Sequence, residues 1–124
     1  MNILDSSAWL EYFCGSKTGE QFAKIVKSPA TLIVPTIIIY EVFKKLLVET
    51  NEKTALETIG QLKQCKIIGM DLNIALLAAQ ISQKHKLPMA DSIILASARS
   101  HNATLFTLDS DFKNIEGVKY FSGN

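Results

Sequence analysis

Short apolar segments alternate with longer amphipathic segments along the whole chain, and this alternation limits the possible folds more than any other feature. The short segments are rich in β-branched residues and predict strands, whereas the longer ones repeat apolar residues at helical spacing. Parallel neighbouring strands are joined by right-handed helical crossovers. We therefore predict a single α/β domain over residues 1–124, with a mostly parallel central sheet flanked by helices on both faces.

The predicted elements can be placed from apolar periodicity and from turn and capping residues. Strands are predicted over residues 1–5, 31–34, 66–70, 103–108 and 118–121. Helices are predicted to begin near residues 6, 18, 36, 51, 72 and 90, the second of them reaching residue 27.

The composition excludes several classes of protein. A net charge of +1 gives no global basic signal for nucleic-acid binding, so any contact with a polyanion has to be local. The two cysteines, Cys14 and Cys65, do not form a CxxC pair, and no histidine lies near them at the sequence spacing of zinc ligands. A metal site built on cysteine sulfur is therefore excluded. No secretory signal precedes the first strand, and no apolar run is long enough to span a bilayer. We expect a cytoplasmic protein with reduced thiols.

Four acidic residues stand where predicted strands end or predicted helices begin. Asp5 and Asp109 end strands, whereas Glu41 and Asp91 lie near the starts of helices. Ligand sites in open α/β sheets form at the carboxyl ends of the strands, which is also where the following helices start. We therefore expect these four carboxylates to converge on one rim of the sheet.

Carboxylates at close range repel one another, and a divalent cation is the natural compensation. Oxygen-only ligand sets suit hard cations such as Mg²⁺ or Mn²⁺. The chemistry that follows is attack of a metal-activated water on a phosphodiester. On this hypothesis, Asp5→Asn should abolish cleavage and leave the metal-free protein at least as stable, because it relieves repulsion.

Each acid also has a purely structural interpretation. Acids at helix starts cap the helix or interact with its dipole, acids within helices pair with lysines four residues on, and aspartates in loops close turns. Asp5 and Asp91 could cap the helices that follow them. Glu41 could pair with Lys45, and Asp109 and Asp111 could close a turn before Phe112.

At four places the sequence resembles the PIN-domain nucleases and, among them, the VapC-type toxins of VapBC toxin-antitoxin pairs. The segments are residues 3–7 (ILDSS), 40–42 (YEV), 87–96 (LPMADSIILA) and 107–112 (TLDSDF). Each segment is common by itself, but their order along the chain is specific. The resemblance extends over the whole chain.

The resemblance implies an endoribonuclease that uses Mg²⁺ or Mn²⁺ and forms a homodimer. It also implies a partner antitoxin, similar to VapB, that lays a C-terminal segment into a groove of the toxin. The family's catalytic acids fall on Asp5, Glu41, Asp91 and Asp109, with the metal held by Asp5, Asp91 and Asp109. Second-tier positions are an extra acid at Asp111 and hydroxyls that orient ligands or water at Ser6 and Thr107.

Two other functions are compatible with an α/β domain of this length. One is a receiver-like signalling domain, in which Asp71 would accept a phosphoryl group and Lys119 would assist. Such a domain needs an acid pair after its first strand, but here Asp5 is followed by Ser6 and Ser7. The other is a catalytically inactive PIN-like module that only binds a partner, and the presence of all four acids argues against it.

Overall fold

The computed structural model describes residues 1–122, and its strands and helices alternate along the chain as predicted. The strands are β1 (Asn2–Leu4), β2 (Ile33–Pro35), β3 (Lys66–Ile68), β4 (Thr104–Thr107) and β5 (Val118–Tyr120). The helices are α1 (Ser6–Phe13), α2 (Ala23–Val26), α3 (Thr36–Glu49), α4 (Glu52–Leu62), α5 (Leu72–His85) and α6 (Met89–Ser100). Short 3₁₀ segments are Gly19–Phe22, Pro29–Thr31 and Ser110–Phe112. The last two residues of the predicted domain, 123–124, lie outside the described part.

Every strand pairing within residues 1–122 is parallel, which confirms the predicted sheet. β4 lies between β1 and β5, and β2 pairs with β3. A parallel bridge between Asn2 and Leu32 joins the two groups, so the spatial order is β3-β2-β1-β4-β5. This order differs from the 2-1-3-4-5 order of flavodoxin-like and receiver domains. The carboxyl ends of β1 and β4 are therefore neighbours at the centre of the sheet.

The core surrounds the central strands. Ile3 and Leu4 are both fully buried, and because consecutive strand residues point to opposite faces, both faces of β1 are covered. The apolar sides of the helices complete the core with Trp9, Ile38, Val42, Ile74, Ile94 and Leu95. Within the described chain, no helix combines the length and the hydropathy that a bilayer crossing requires.

The predicted continuous helix over residues 18–27 is wrong. A 3₁₀ segment, Gly19–Phe22, precedes the short helix α2 in that region. Gly19 packs so closely on α1 that a Cβ there would lie 2.1 Å from the carbonyl oxygen of Glu11. The Ser16 hydroxyl also accepts a hydrogen bond from the Gly19 N–H at 2.9 Å. This tertiary packing overrides the local apolar periodicity.

Candidate active site

The acids predicted from sequence meet at the carboxyl end of the sheet. Asp5 directly follows β1, Asp109 lies two residues beyond β4, and Asp91 is in the first turn of α6. Glu41 lies on α3, in the second turn after β2. Burial is the largest cause of the raised pKa values of Asp5, Glu41 and Asp91, and the charge of Asp109 adds to the rise in all three, so these charges act on one another. We call these four acids together with Asp111 the carboxylate cluster.

Three members of the cluster are close enough to share one ion. Carboxylate oxygens of Asp91, Asp109 and Asp111 all lie within 4.8 Å of one another. The 3₁₀ segment after β4 creates this proximity, because Oδ1 of Asp109 accepts a hydrogen bond from the Asp111 N–H at 2.9 Å. Asp109 therefore closes a turn, as its structural interpretation predicted, while it also faces Asp91.

Asp5 is the most deeply buried acid, with only 3% of its surface exposed. Its Oδ1 accepts hydrogen bonds from the Ser7 hydroxyl and from the Ala8 N–H at 3.3 Å. Its Oδ2 accepts a 2.5 Å hydrogen bond from the Thr107 hydroxyl. Burial raises the pKa of Asp5, and these donors only partly oppose the rise. Asp5 thus caps α1 and belongs to the cluster at the same time.

The pKa of Asp91 is strongly raised. Three main causes raise the pKa of Asp91 from 3.8 to about 7. Burial is the largest, the charge of Asp109 is the second, and a side-chain hydrogen bond with Asp109 is the third. The charges of Asp5 and Glu41 add to the rise. The Asp91 carboxyl therefore takes up and releases its proton near neutral pH when no cation lies beside it.

Glu41 has a buried carboxylate oxygen without a hydrogen-bond partner among residues 1–122. Its Oε1 is buried and accepts no hydrogen bond from the described residues. Burial raises the pKa of Glu41, as do the charges of Asp5 and Asp109, while the Ser6 hydroxyl lowers it. A buried oxygen without a donor is costly unless a ligand supplies the missing interaction.

These observations fit a hard divalent cation better than any other group. The donors are carboxylate oxygens, the type preferred by Mg²⁺ and Mn²⁺. A cation would give the orphaned oxygen of Glu41 a partner, and it would take the place of the proton that Asp91 binds near neutral pH. The carboxylate cluster can therefore bind such an ion and present it to an anionic ligand.

A pH dependence of stability follows from the raised pKa of Asp91. Between about pH 4 and pH 7 the folded protein holds a proton that the unfolded chain has released, so metal-free stability falls as pH rises through this window. We expect a loss of roughly 1–2 kcal/mol, because water partly screens this half-buried group. Calorimetry in EDTA should give a melting temperature roughly 5 °C higher at pH 5 than at pH 8. A reversed or absent dependence would contradict the described clustering.

The structure brings one hydroxyl to the cluster that the sequence interpretation missed. Ser7, rather than Ser6, bonds to Asp5, whereas Ser6 acts on Glu41. The second predicted hydroxyl, Thr107, does contact Asp5. The position of Ser7 two residues after a helix-capping acid was the only available signal. Capping does not reveal where a hydroxyl at that position points.

The residues proposed for a receiver-like site do not join the cluster. Oδ1 of Asp71 accepts a hydrogen bond from the Ile74 N–H at 2.8 Å and caps α5. The Lys119 ammonium lies 5.6 Å from the ring centre of Phe106. Both have structural roles that need no phosphoryl transfer.

Comparisons with known proteins agree with this architecture. The PIN domain profile matches residues 3–118. A chain of a toxin-antitoxin complex from Klebsiella pneumoniae superposes with a TM-score of 0.85 at 26% identity, covering 98% of this chain and 99% of that one.

More distant chains share the fold. One from a DNA-bound VapBC of Salmonella typhimurium has a TM-score of 0.74 at 16% identity, with 98% of each chain covered. Mycobacterium tuberculosis VapC20, described as a Sarcin-Ricin loop cleaving toxin, has a TM-score of 0.75 at 12% identity and covers 94% and 95% of the two chains. No curated protein gives a significant sequence match.

Proposed function

This chain belongs to the PIN domain family, and from that premise we propose that it is a metal-dependent endoribonuclease, the toxin of a VapC-type toxin-antitoxin pair acting on cytoplasmic RNA. The observation that carries the proposal is the set of Asp91, Asp109 and Asp111 oxygens within 4.8 Å of one another. Asp5 and Glu41 stand beside them and are coupled to them by charge. The fold shared with VapC20, a toxin that cleaves the sarcin-ricin loop, supports RNA as the substrate.

Each residue of the cluster has a distinct part in this proposal. Asp5, Asp91 and Asp109 would hold Mg²⁺ or Mn²⁺, with Asp111 as an additional ligand. When bound, the cation supplies an acidified water and offsets the charge of the phosphodiester. Glu41, whose Oε1 is free and whose pKa is raised, would accept the proton released by the attacking water. Hydrolysis adds that water across one P–O bond, leaving a phosphate on one fragment and a hydroxyl on the other.

An antitoxin protein is the proposed regulator. The similar chains from Klebsiella and Salmonella come from toxin-antitoxin and VapBC complexes, which supports a protein partner. A groove of about 590 Å³ lies between α1, α3 and α4 and could receive a partner segment. Leu10, Phe13 and Leu46 line it with apolar surface. Ser7 and Leu108 are also part of its wall, and Ser7 hydrogen-bonds to Asp5 of the carboxylate cluster. A segment in this groove would therefore lie beside the cluster.

A homodimer is proposed from an exposed apolar face formed by β3, the starts of α5 and α6, and Tyr40 of α3. Its side chains are exposed by 41–74%, namely Tyr40, Ile67, Met70, Leu72, Leu76 and Met89. At about 100 Å² each they expose on the order of 600 Å², near the ~800 Å² per partner of a stable interface. Two grooves of about 310 and 300 Å³ adjoin at Met70. Protruding side chains beside grooves on one face suit a two-fold, self-complementary contact.

Light scattering after size-exclusion chromatography should therefore give a molar mass of about twice the 13.7 kDa of one chain. Leu76→Glu places a charge in the face and should yield a monomer, with the dissociation constant raised about 100-fold or more. Val48→Glu is the matched control, because Val48 is equally apolar, 79% exposed and outside the face. A monomeric wild type, or a Leu76→Glu variant that still dimerises, would contradict the homodimer.

Incubation of purified protein with structured RNA tests the enzymatic proposal. We expect fragments with Mg²⁺ or Mn²⁺ and none with EDTA. Intact RNA under both conditions, from a protein that binds the cation, would instead favour the inactive binding module.

A further inference from the structure

Ser7 connects the carboxylate cluster to the end of β4 through its hydroxyl. Its Oγ donates to Oδ1 of Asp5 and accepts a hydrogen bond from the Leu108 N–H at 3.1 Å. A serine hydroxyl has one proton and a freely rotating O–H bond. The Leu108 N–H can only donate, whereas Oδ1 of Asp5 is an acceptor within reach, so the Ser7 proton is directed at Asp5.

Thr107 forms the same arrangement on the other carboxylate oxygen. Its Oγ1 donates to Oδ2 of Asp5 at 2.5 Å and accepts from the Asp109 N–H at 2.9 Å. Two hydroxyls, each oriented by a backbone N–H after β4, therefore hold the two oxygens of one buried carboxylate. The plane of the Asp5 carboxylate is fixed by this pair.

The two oxygens of Asp5 are not used equally. A carboxylate has about four lone-pair positions. Oδ1 accepts from both Ser7 and the Ala8 N–H, whereas among residues 1–122 Oδ2 accepts only from Thr107. Oδ2 therefore keeps a free lone pair, and Oδ1 has none. The hydroxyl of Ser7 helps to decide which oxygen remains available to a ligand.

We propose that Ser7 is a positioning residue of this site, which orients Asp5 so that Oδ2 faces the cation. The inference rests on the proposed metal-dependent function and extends it to a residue outside the ligand set. Without the Ser7 hydroxyl, the carboxylate can turn about its Cβ–Cγ bond, and the Leu108 N–H loses its acceptor. Cation binding should weaken because the ligand is no longer held in place.

Isothermal titration of Mn²⁺ into the RNA-free protein tests the proposal. Ser7→Ala should bind Mn²⁺ about 10- to 100-fold more weakly than the wild type. Ser7→Thr, which restores a hydroxyl, should recover most of the affinity. In cleavage assays, Ser7→Ala should need more Mn²⁺ for half-maximal rate, and its KM for RNA at saturating Mn²⁺ should stay unchanged.

Ser16→Ala is the matched control. Ser16 also donates to a carboxylate, Oε2 of Glu11 at 2.6 Å, and accepts from a backbone N–H, that of Gly19 at 2.9 Å. It lies outside the carboxylate cluster. Ser16→Ala should lose a comparable hydrogen-bond network and retain wild-type Mn²⁺ affinity.

Wild-type Mn²⁺ affinity in a folded Ser7→Ala protein would overturn the proposal, and so would a Ser7→Thr variant that stays as weak as Ser7→Ala. Should Ser7→Ala not fold, Ser7→Cys keeps the side-chain size with a weaker donor. Its affinity should fall below that of the wild type, and an equal affinity would overturn the proposal. A wild type that binds no Mn²⁺ overturns both proposals. Mn²⁺ binding without RNA cleavage overturns only the proposed function.

Discussion

Replacing Asp91 with asparagine is expected to abolish RNA cleavage, with a loss of about 10³-fold or more, equivalent to about 4 kcal/mol of transition-state stabilisation. The substitution removes a ligand oxygen and the charge that a cation would balance. The metal-free variant should nevertheless be as stable as the wild type or more stable at pH 8, because Asp109 loses a repelling neighbour. Gel assays of cleavage and calorimetry in EDTA measure the two effects.

Asp71→Asn is the matched control for this experiment. Asp71 is also an aspartate at the start of a helix, and asparagine caps helices about as well as aspartate. Its activity and stability should both stay at the wild-type level. A strongly destabilised Asp91→Asn protein, or one that still cleaves RNA at the wild-type rate, would remove Asp91 from the proposed site.

Millimolar Mg²⁺ or Mn²⁺ should raise the melting temperature of the wild type by about 10 °C. A ligand at 100 times its dissociation constant stabilises the native state by about 2.7 kcal/mol, which corresponds to this shift in a domain of such size. The increase should shrink below about pH 7, because the cation must then displace the proton bound to Asp91.

The same titration distinguishes specific binding from a general salt effect. The increase should be lost in Asp91→Asn, retained in Asp71→Asn, and absent when Na⁺ replaces the divalent ion at equal ionic strength. Equal shifts in all three proteins would show that the cation acts elsewhere on the surface.

Much of the candidate site could be predicted because the positions of its acids depend on the order of the strands and helices along the chain. Asp5 and Asp109 follow buried strands, and a parallel sheet brings the ends of such strands to one edge. Asp91 and Glu41 lie on helices that begin near that edge. The predicted convergence thus required only the order of the elements and the parallel sheet.

The details that could not be predicted depend on side-chain direction and tertiary packing. Asp5 accepts hydrogen bonds from Ser7, Ala8 and Thr107, so an asparagine there would turn its NH₂ group towards a donor. We therefore expect Asp5→Asn to cost stability as well as activity, contrary to the prediction from repulsion alone. Nor could the sequence reveal that Gly19 packs against α1 and interrupts the predicted second helix.

Cleavage of RNA in H₂¹⁸O tests the central claim most directly, because it follows the oxygen that attacks the phosphodiester. If the carboxylate cluster serves a metal-activated water, mass spectrometry in the presence of Mn²⁺ should find one ¹⁸O in each new terminal phosphate, and EDTA should stop the reaction. Products ending in a 2′,3′-cyclic phosphate without ¹⁸O, formed equally well in EDTA, would contradict the proposed mechanism.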